Sequence, residues 1–260
     1  MAFETLLVTR EGGIVTVTVN RPKQLNAINL TVMRELDEVA AGLEDDADAR
    51  VVIFTGAGDR AFLAGADISG FQGLTPITAL TFGQKIQRLY SRIEALPQVT
   101  IAAVNGFALG GGCELTLCCD LVLAAETARF GQPEINLGLI PGAGGTQRLP
   151  RLVGLHRAKE IDFLGEMIDA QEAYRIGLAN HVVPPDRLMA EARALAEKIL
   201  ARPAVALRMI KEAMNEGYDL DLPKGLAIEA KAWAVAFASE DRTEGVTAFL
   251  EKRKPAFTGR

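Results

Sequence analysis

Along MAFETLLVTREGGIVTVTVNRP, apolar and polar residues alternate on both sides of Glu11-Gly12-Gly13. A period of two broken by a glycine-rich turn predicts two paired strands. From Leu30 to Leu43 the apolar positions recur at helical spacing, which predicts an amphipathic helix. Val51-Val52-Ile53-Phe54-Thr55 is a short apolar run and reads as a buried strand. Ile77–Leu96 reads as a second helix, stopped by Pro97. Val99–Val104 and Leu121–Ala125 are the next strands, and Glu114-Leu115-Thr116-Leu117-Cys118-Cys119 between them reads as a short buried helix. Strands alternating with helices imply parallel pairing with crossover helices. Beyond Arg148 the strand signal all but disappears, leaving only His181-Val182-Val183. Helical pieces are expected near 155–163, 170–176, 186–200, 203–216, 223–238 and 240–250. Periodicity alone therefore gives an α/β part followed by a helical one.

Composition narrows the picture. With 260 residues, 49% of them hydrophobic, the chain can bury a large core. A net charge of −5 and a pI near 5.3 argue against nucleic acid or an anionic membrane as main partner. Lys85, Arg88 and Arg92 do share a helix face, but three charges in an acidic protein read as a solvated face. Cys113, Cys118 and Cys119 are odd in number and lack CxxC spacing, so they read as small buried helix residues rather than a redox or metal site. No basic segment followed by an apolar one opens the chain, and no apolar run reaches membrane-spanning length. A reduced, cytoplasmic setting is expected.

The candidate chemistry gathers between Ala103 and Gly145, where Gly110-Gly111-Gly112 precedes Glu114 and an FGQPE turn carries Glu134. A helix starting in the glycine run leaves N–H groups, notably that of Gly111, without intrahelical partners and open to an anion. Upstream, AFLAGADI (Ala61–Ile68) is a tight small-residue turn that leaves the N–H of Ala66 accessible as a second donor. A Glu near a helix start is often only a partner for the helix dipole, and one after Pro is often a solvated turn residue. Here Glu114 stands among glycines and LTLCC, where an idle carboxylate would be costly. Two donors for an oxyanion and two acids suggest chemistry at a carbonyl. Gly142-Ala143-Gly144-Gly145-Thr146 fits neither GxGxxG nor GxxxxGK and reads as a floor beside Glu134 and the start of a helix holding Arg148. His156 and His181 lie away from the acids, without a ligand set, and read as structural.

These segments, NRPKQLNAI (Asn20–Ile28), FLAGADI, VNGFALGGGCEL, FGQPEINLGLIPGAGGTQRL and FLEKRKP (Phe249–Pro255), resemble the crotonase family, most closely its enoyl-CoA hydratases. The resemblance runs from about Asn20 to the C-terminus. It implies an α/β fold, a spiral of repeated ββα turns over residues 1–195. A helical region over 196–260 would make trimer contacts and part of the coenzyme A site. It implies hydration of a 2-trans-enoyl-CoA, with Glu134 as proton donor to C2 and Glu114 as the base that orients water. Ala66 and Gly111 would form the oxyanion hole. Lys23, Leu25, Ala27, Ala64, Ala66, Asp67 and Ile68 match positions lining the coenzyme A channel, and Phe249 and Lys252 match residues near its adenine and phosphate end. Ser69 stands where some hydratases carry Lys after ADI. Phe71–Pro76 and the helix after it would line the acyl pocket. Coenzyme A would arrive as part of the substrate, with no separate cofactor.

The same fold leaves other chemistries open: a 3-hydroxybutyryl-CoA dehydratase, an enoyl-CoA isomerase, a decarboxylase, a thioesterase-like hydrolase, or a nucleic-acid-binding member. An isomerase needs one acid/base carboxylate, so the presence of two favours hydration. Apolar positions Leu188, Leu195, Ile199, Trp233 and Phe237 in the helical third suggest a homotrimer, or a hexamer made of two trimers.

Overall fold

In a computed structural model describing residues 3–260, the chain opens with β1 (Leu6–Glu11) and β2 (Ile14–Val19), paired antiparallel about Gly12-Gly13. Helix α1 (Leu30–Glu44) follows, its first turn capped by Asn29, which accepts a hydrogen bond from the Val32 N–H at 2.9 Å. Next come β3 (Val51–Gly56), β4 (Ala61–Ala64) and α2 (Pro76–Glu94), the last begun by a reciprocal Thr75–Thr78 capping box. A second round gives β5 (Val99–Val104), β6 (Phe107–Leu109) and α3 (Gly111–Thr116), and a third gives β7 (Leu121–Ala125) and β8 (Arg129–Gly131). The remainder is α4 (Gly145–Val153), α5 (Leu155–Leu164), β9 (Ile168–Asp169), α6 (Ala170–Arg175), β10 (His181–Val183), α7 (Leu188–Leu200), α8 (Ala204–Gly217), α9 (Leu222–Phe237) and α10 (Glu240–Leu250).

Each round deals one strand to each of two sheets. The larger runs β1-β2-β3-β5-β7-β10, parallel except at β1/β2; the smaller runs β4-β6-β8-β9, parallel except at β8/β9. This is the expected ββα spiral. The smaller sheet departs from the reading by periodicity, which took Ala61–Ile68 as a turn. Its strands have four residues or fewer, too short for an alternation to mark them.

One core fills the space around α1, α2 and the inner sheet faces, including Val17, Leu36, Phe62, Tyr90, Leu115 and Phe130. A second lies under α7, where Leu188, Ala192 and Ala196 pack on Val51, Ile53, Ile101 and Leu123, with Leu195 and Ile199 against them. Leu188, Leu195 and Ile199 thus serve this chain's own core, which corrects their assignment to an assembly surface. Helix α7 also runs unbroken across the 195/196 division. Trp233 and Phe237, by contrast, are exposed on α9.

Candidate active site

Helix α3 is placed by its glycines. Gly110 has φ +49, and a Cβ there would run into Glu134 Oε1. A Cβ on Gly112 would strike the Leu63 carbonyl oxygen of β4, so only glycine lets α3 lie this close to the smaller sheet. The Gly111 carbonyl accepts from the hydroxyl of fully buried Tyr90 at 2.7 Å, which fixes the first turn. The Gly111 N–H, at N1, has no hydrogen-bond partner among the described residues and faces a cavity.

A second free N–H faces the same cavity. The Ile28 N–H donates to Gly65 O at 2.8 Å and the Asp67 N–H to Ile28 O at 2.8 Å, a bridge that leaves the Ala66 N–H between them unpaired among the described residues. The supporting segment is held by Leu25 and Asn26, both in the left-handed region, with the Asn26 amide donating to Ala61 O at 2.7 Å.

Two carboxyls complete the cavity, and their surroundings differ. Glu114 is 2% exposed; its Oε1 accepts the N–H groups of Ala143 and Gly145, each at 2.7 Å. Burial, the largest effect, leaves its proton affinity above that of an ordinary carboxylate, and the two N–H donors and nearby Arg148 offset part of that rise. Arg148 forms an ion pair with Glu94 at 2.6 Å and donates to Ala143 O at 3.2 Å, which pins the donor loop. The Gly142–Thr146 floor therefore serves Glu114, not Glu134 as the sequence reading had it. Two amides of a glycine-rich turn at a helix start form an anion nest, and the nearest buried anion takes it. Glu134, on the 3₁₀ turn Pro133–Leu137, has no such help: its Oε2 is buried without a partner among the described residues. Burial pushes its carboxyl up to about 7 against the opposing effect of a backbone hydrogen bond, with smaller upward contributions from the charges of Glu114 and then Asp162.

The cavity encloses about 530 Å³ and brings Ala64, Ala66, Ile68, Gly111, Glu114 and Glu134 together. Its apolar end is formed by Phe71, Leu74, Ala79, Phe82, Ile86 and Leu137, as expected for the Phe71–Pro76 loop and α2. Phe71 and Phe82 meet edge to face with centroids 5.6 Å apart. Lys23 is exposed on the turn Pro22–Gln24, Leu25 O accepts the Ala64 N–H, and Ala27 O accepts from Arg21. Asp67 turns away to Ser69 (2.6 Å) and Arg21 (3.1 Å), which hold it ionised. Phe249 and Lys252 lie at and beyond the end of α10 and do not line the cavity, Phe249 being 83% exposed. Cys113, Cys118 and Cys119 are free, and burial pushes all three thiols up. Lys85, Arg88 and Arg92 do form a solvated face, with Arg92 paired to Asp37 and Glu44.

Sequence reasoning missed Gln132, Tyr90 and Asp162. Gln132 is 0% exposed with both amide atoms unpartnered among the described residues, and its Nε2 lies 2.6 Å from where a Gly145 Cβ would sit. Its place two residues before Glu134 was the available signal.

A family model described as "Enoyl-CoA hydratase/isomerase" matches residues 9–260. The chain is 47% identical over 257 residues to a crotonyl-CoA hydratase of Syntrophomonas wolfei, covering 99% of each protein. It is 46% identical over 254 residues to a short-chain-enoyl-CoA hydratase of Clostridium acetobutylicum, covering 98% of this chain and 97% of that protein. Among solved structures, an enoyl-CoA hydratase from Bacillus anthracis superposes with a TM-score of 0.95 at 43% identity, covering 99% of this chain and 100% of that one.

Proposed function

This chain belongs to the enoyl-CoA hydratase/isomerase family, and on that premise we propose that it adds water across the double bond of a 2-trans-enoyl-CoA to give the 3-hydroxyacyl-CoA. The observation that carries the reading is one cavity holding two unpaired amides, a buried Glu114 held by donors and a half-buried Glu134 without them.

The thioester oxygen accepts the N–H groups of Ala66 and Gly111, so charge arriving on it meets fixed donors, an effect worth ~10²–10³ in rate for one donor. Glu114, carrying the nest and Arg148 on its side, is the ionised partner: it takes a proton from water as the oxygen bonds to C3. Electrons of the C2–C3 double bond move toward the thioester oxygen. Glu134, which keeps its proton to about pH 7, delivers it to C2. Glu114 ends protonated and Glu134 ionised, and a proton passing from the first to the second through water resets the site. An isomerase needs one such carboxyl and would leave Glu114, with the loop that holds it, without a part in the reaction.

The substrate we assign is a short-chain enoyl-CoA. The Phe71–Phe82 pair lining the cavity and the short-chain relatives support it. Coenzyme A enters as part of the substrate, its channel lined by Lys23, Leu25, Ala27, Ala64 and Ile68. The assembly we assign is a homotrimer or a pair of trimers, with Phe249 and Lys252 completing the coenzyme A site. Among the described residues no helix is long and apolar enough to cross a membrane; a cytoplasmic setting remains part of the proposal. Loss of conjugated-thioester absorbance on mixing the protein with crotonyl-CoA tests the reaction. A protein that leaves crotonyl-CoA and longer enoyl-CoAs unchanged would overturn it.

A further inference from the structure

The catalytic pair has a third acid behind it. Asp162 lies on α5, whose C-terminal end packs on the turn that carries Glu134. Asn136 donates to Gly165 O at 3.3 Å, and a Cβ on Gly165 would meet Ile135 Cγ2 at 2.6 Å, so helix and turn are in direct contact. Ala158 and Ile161 on the same helix are core residues, and Asp162 follows them inward: it is half-buried, and its Oδ1 is removed from solvent with no partner among the described residues. Glu134 Oε2 is in the same condition.

Among the described residues no cation answers Asp162. Arg157, on the same helix, is engaged with Glu160 and Glu172, while His156 and Lys159 are exposed. Across from α5, Glu134 and, on α3, both Glu114 and the thiol of Cys113 feel the Asp162 charge. The charges acting on Glu134 are thus Glu114 from α3 and Asp162 from α5, both negative. Arg148, the basic group of the site, acts on Glu114 instead. Burial raises the Asp162 carboxyl from its ordinary value, but that value starts lower than a glutamate's, and Asp162 keeps partial solvent contact. Glu134 feels it as a negative charge. An unpaired acid at the inner face of a helix is costly, and a neighbouring proton donor gives it a use.

We propose that Asp162 is a positioning residue for hydration, an unpaired negative charge held behind Glu134 that keeps the transferable proton on Glu134 and draws it back after each turnover. The proposal rests on the hydratase reading above.

The test is the pH dependence of kcat/KM with crotonyl-CoA for wild type, Asp162→Asn and Asp162→Glu, each checked for thermal unfolding and mass. Removing a like charge lets Glu134 lose its proton sooner. The alkaline limb of Asp162→Asn is therefore expected to move to lower pH by about half a unit or more, the scale of one charge acting through partly hydrated protein. KM below the limb stays within about twofold, because Asp162 does not line the cavity. Asp162→Glu restores the wild-type limb. If Asp162→Asn does not fold, Asp162→Leu, which removes the charge and suits an apolar helix face, is read in its place. Superimposed limbs, or a shift to higher pH, overturn the proposal, as does failure of both uncharged variants to fold, which would make Asp162 structural. Inactive wild-type protein would overturn the hydratase reading instead. In that case the Glu134 carboxyl, titrated by difference infrared spectroscopy against Glu134→Gln, still reports whether Asp162→Asn lowers its pKa.

Discussion

Glu114 and Glu134 line one cavity, yet the fold supplies donors to the first carboxyl and withholds them from the second. Glu114 has two N–H groups on one oxygen, whereas Glu134 has a buried, unpartnered oxygen and two acidic neighbours. Each carboxyl is then suited to one proton transfer, and such a transfer contributes ~10²–10⁴ in rate. Glu114→Gln and Glu134→Gln are each expected to lower kcat on crotonyl-CoA by that range. The double variant should lose far less than the product, since both groups act on one water and one substrate. Near-normal hydration by folded Glu114→Gln protein would count for an isomerase. The raised Glu134 value also has a consequence for stability. Its folded-state pKa, about 7, exceeds the unfolded value, so the folded protein holds the proton more tightly. That contribution is complete below the unfolded value and is lost as pH rises through about 7. Glu134→Gln cannot ionise, so its melting temperature should exceed that of wild type at about pH 8, and the gain should be clearly smaller at about pH 5 and vanish only below the unfolded value of 4.5. Melts showing the same difference at both pH values would contradict this assignment.

At the scale of elements, what could be read from the chain depended on length and periodicity. The turn at Gly12-Gly13, the amphipathic stripe of α1 and the apolar runs of β3, β5 and β7 all carry local signals, and the structure has them where the pattern put them. The strands β4, β6 and β8 carry none, because three or four largely buried residues show no period. The acids and the free amides were legible through the glycine run and the resemblance. The donors to Glu114 were misplaced because Ala143 and Gly145 reach it across 29 and 31 residues of chain, a pairing only the folded packing of α3 against α4 creates. Asp162 was invisible for the same reason. One close approach that the glycine run did announce is α3 on β4. In Gly112→Ala the methyl group meets a backbone oxygen that cannot rotate away. Overpacking of this kind costs ~1–3 kcal/mol, and urea denaturation should show it. Because the shift moves the Gly111 N–H, kcat should fall as well, while a neutral Gly112→Ala would mean that α3 has slack.

At the scale of the molecule, the single chain leaves its C-terminal helices unfinished. Helices α8 and α9 pack chiefly on each other and bury only Met209 and Ala232, whereas α7 is seated firmly on the larger sheet. Ile210, Met214, Tyr218, Leu222 and Trp233 are exposed along this hairpin, Trp233 to 65%. Apolar surface gathered on one part of a molecule in this way marks an interface. Phe249 and Lys252, which match coenzyme A contacts by resemblance, lie at and beyond the end of α10 and do not line the cavity of their own chain. A trimer, or two trimers, would cover the hairpin and bring those residues to a site. Light scattering at micromolar concentration should therefore give three or six times the 27.9 kDa chain mass. Trp233→Asp places a charge in the proposed contact, where an unpaired buried charge is strongly disfavoured, so it should lower the mass. If Phe249 and Lys252 reach the site only in the assembly, that variant should also raise KM for crotonyl-CoA more than it lowers kcat, because the acids and amides remain within one chain. A wild-type monomer would overturn the assembly, and a dissociated Trp233→Asp variant with unchanged KM would remove Phe249 and Lys252 from the coenzyme A site.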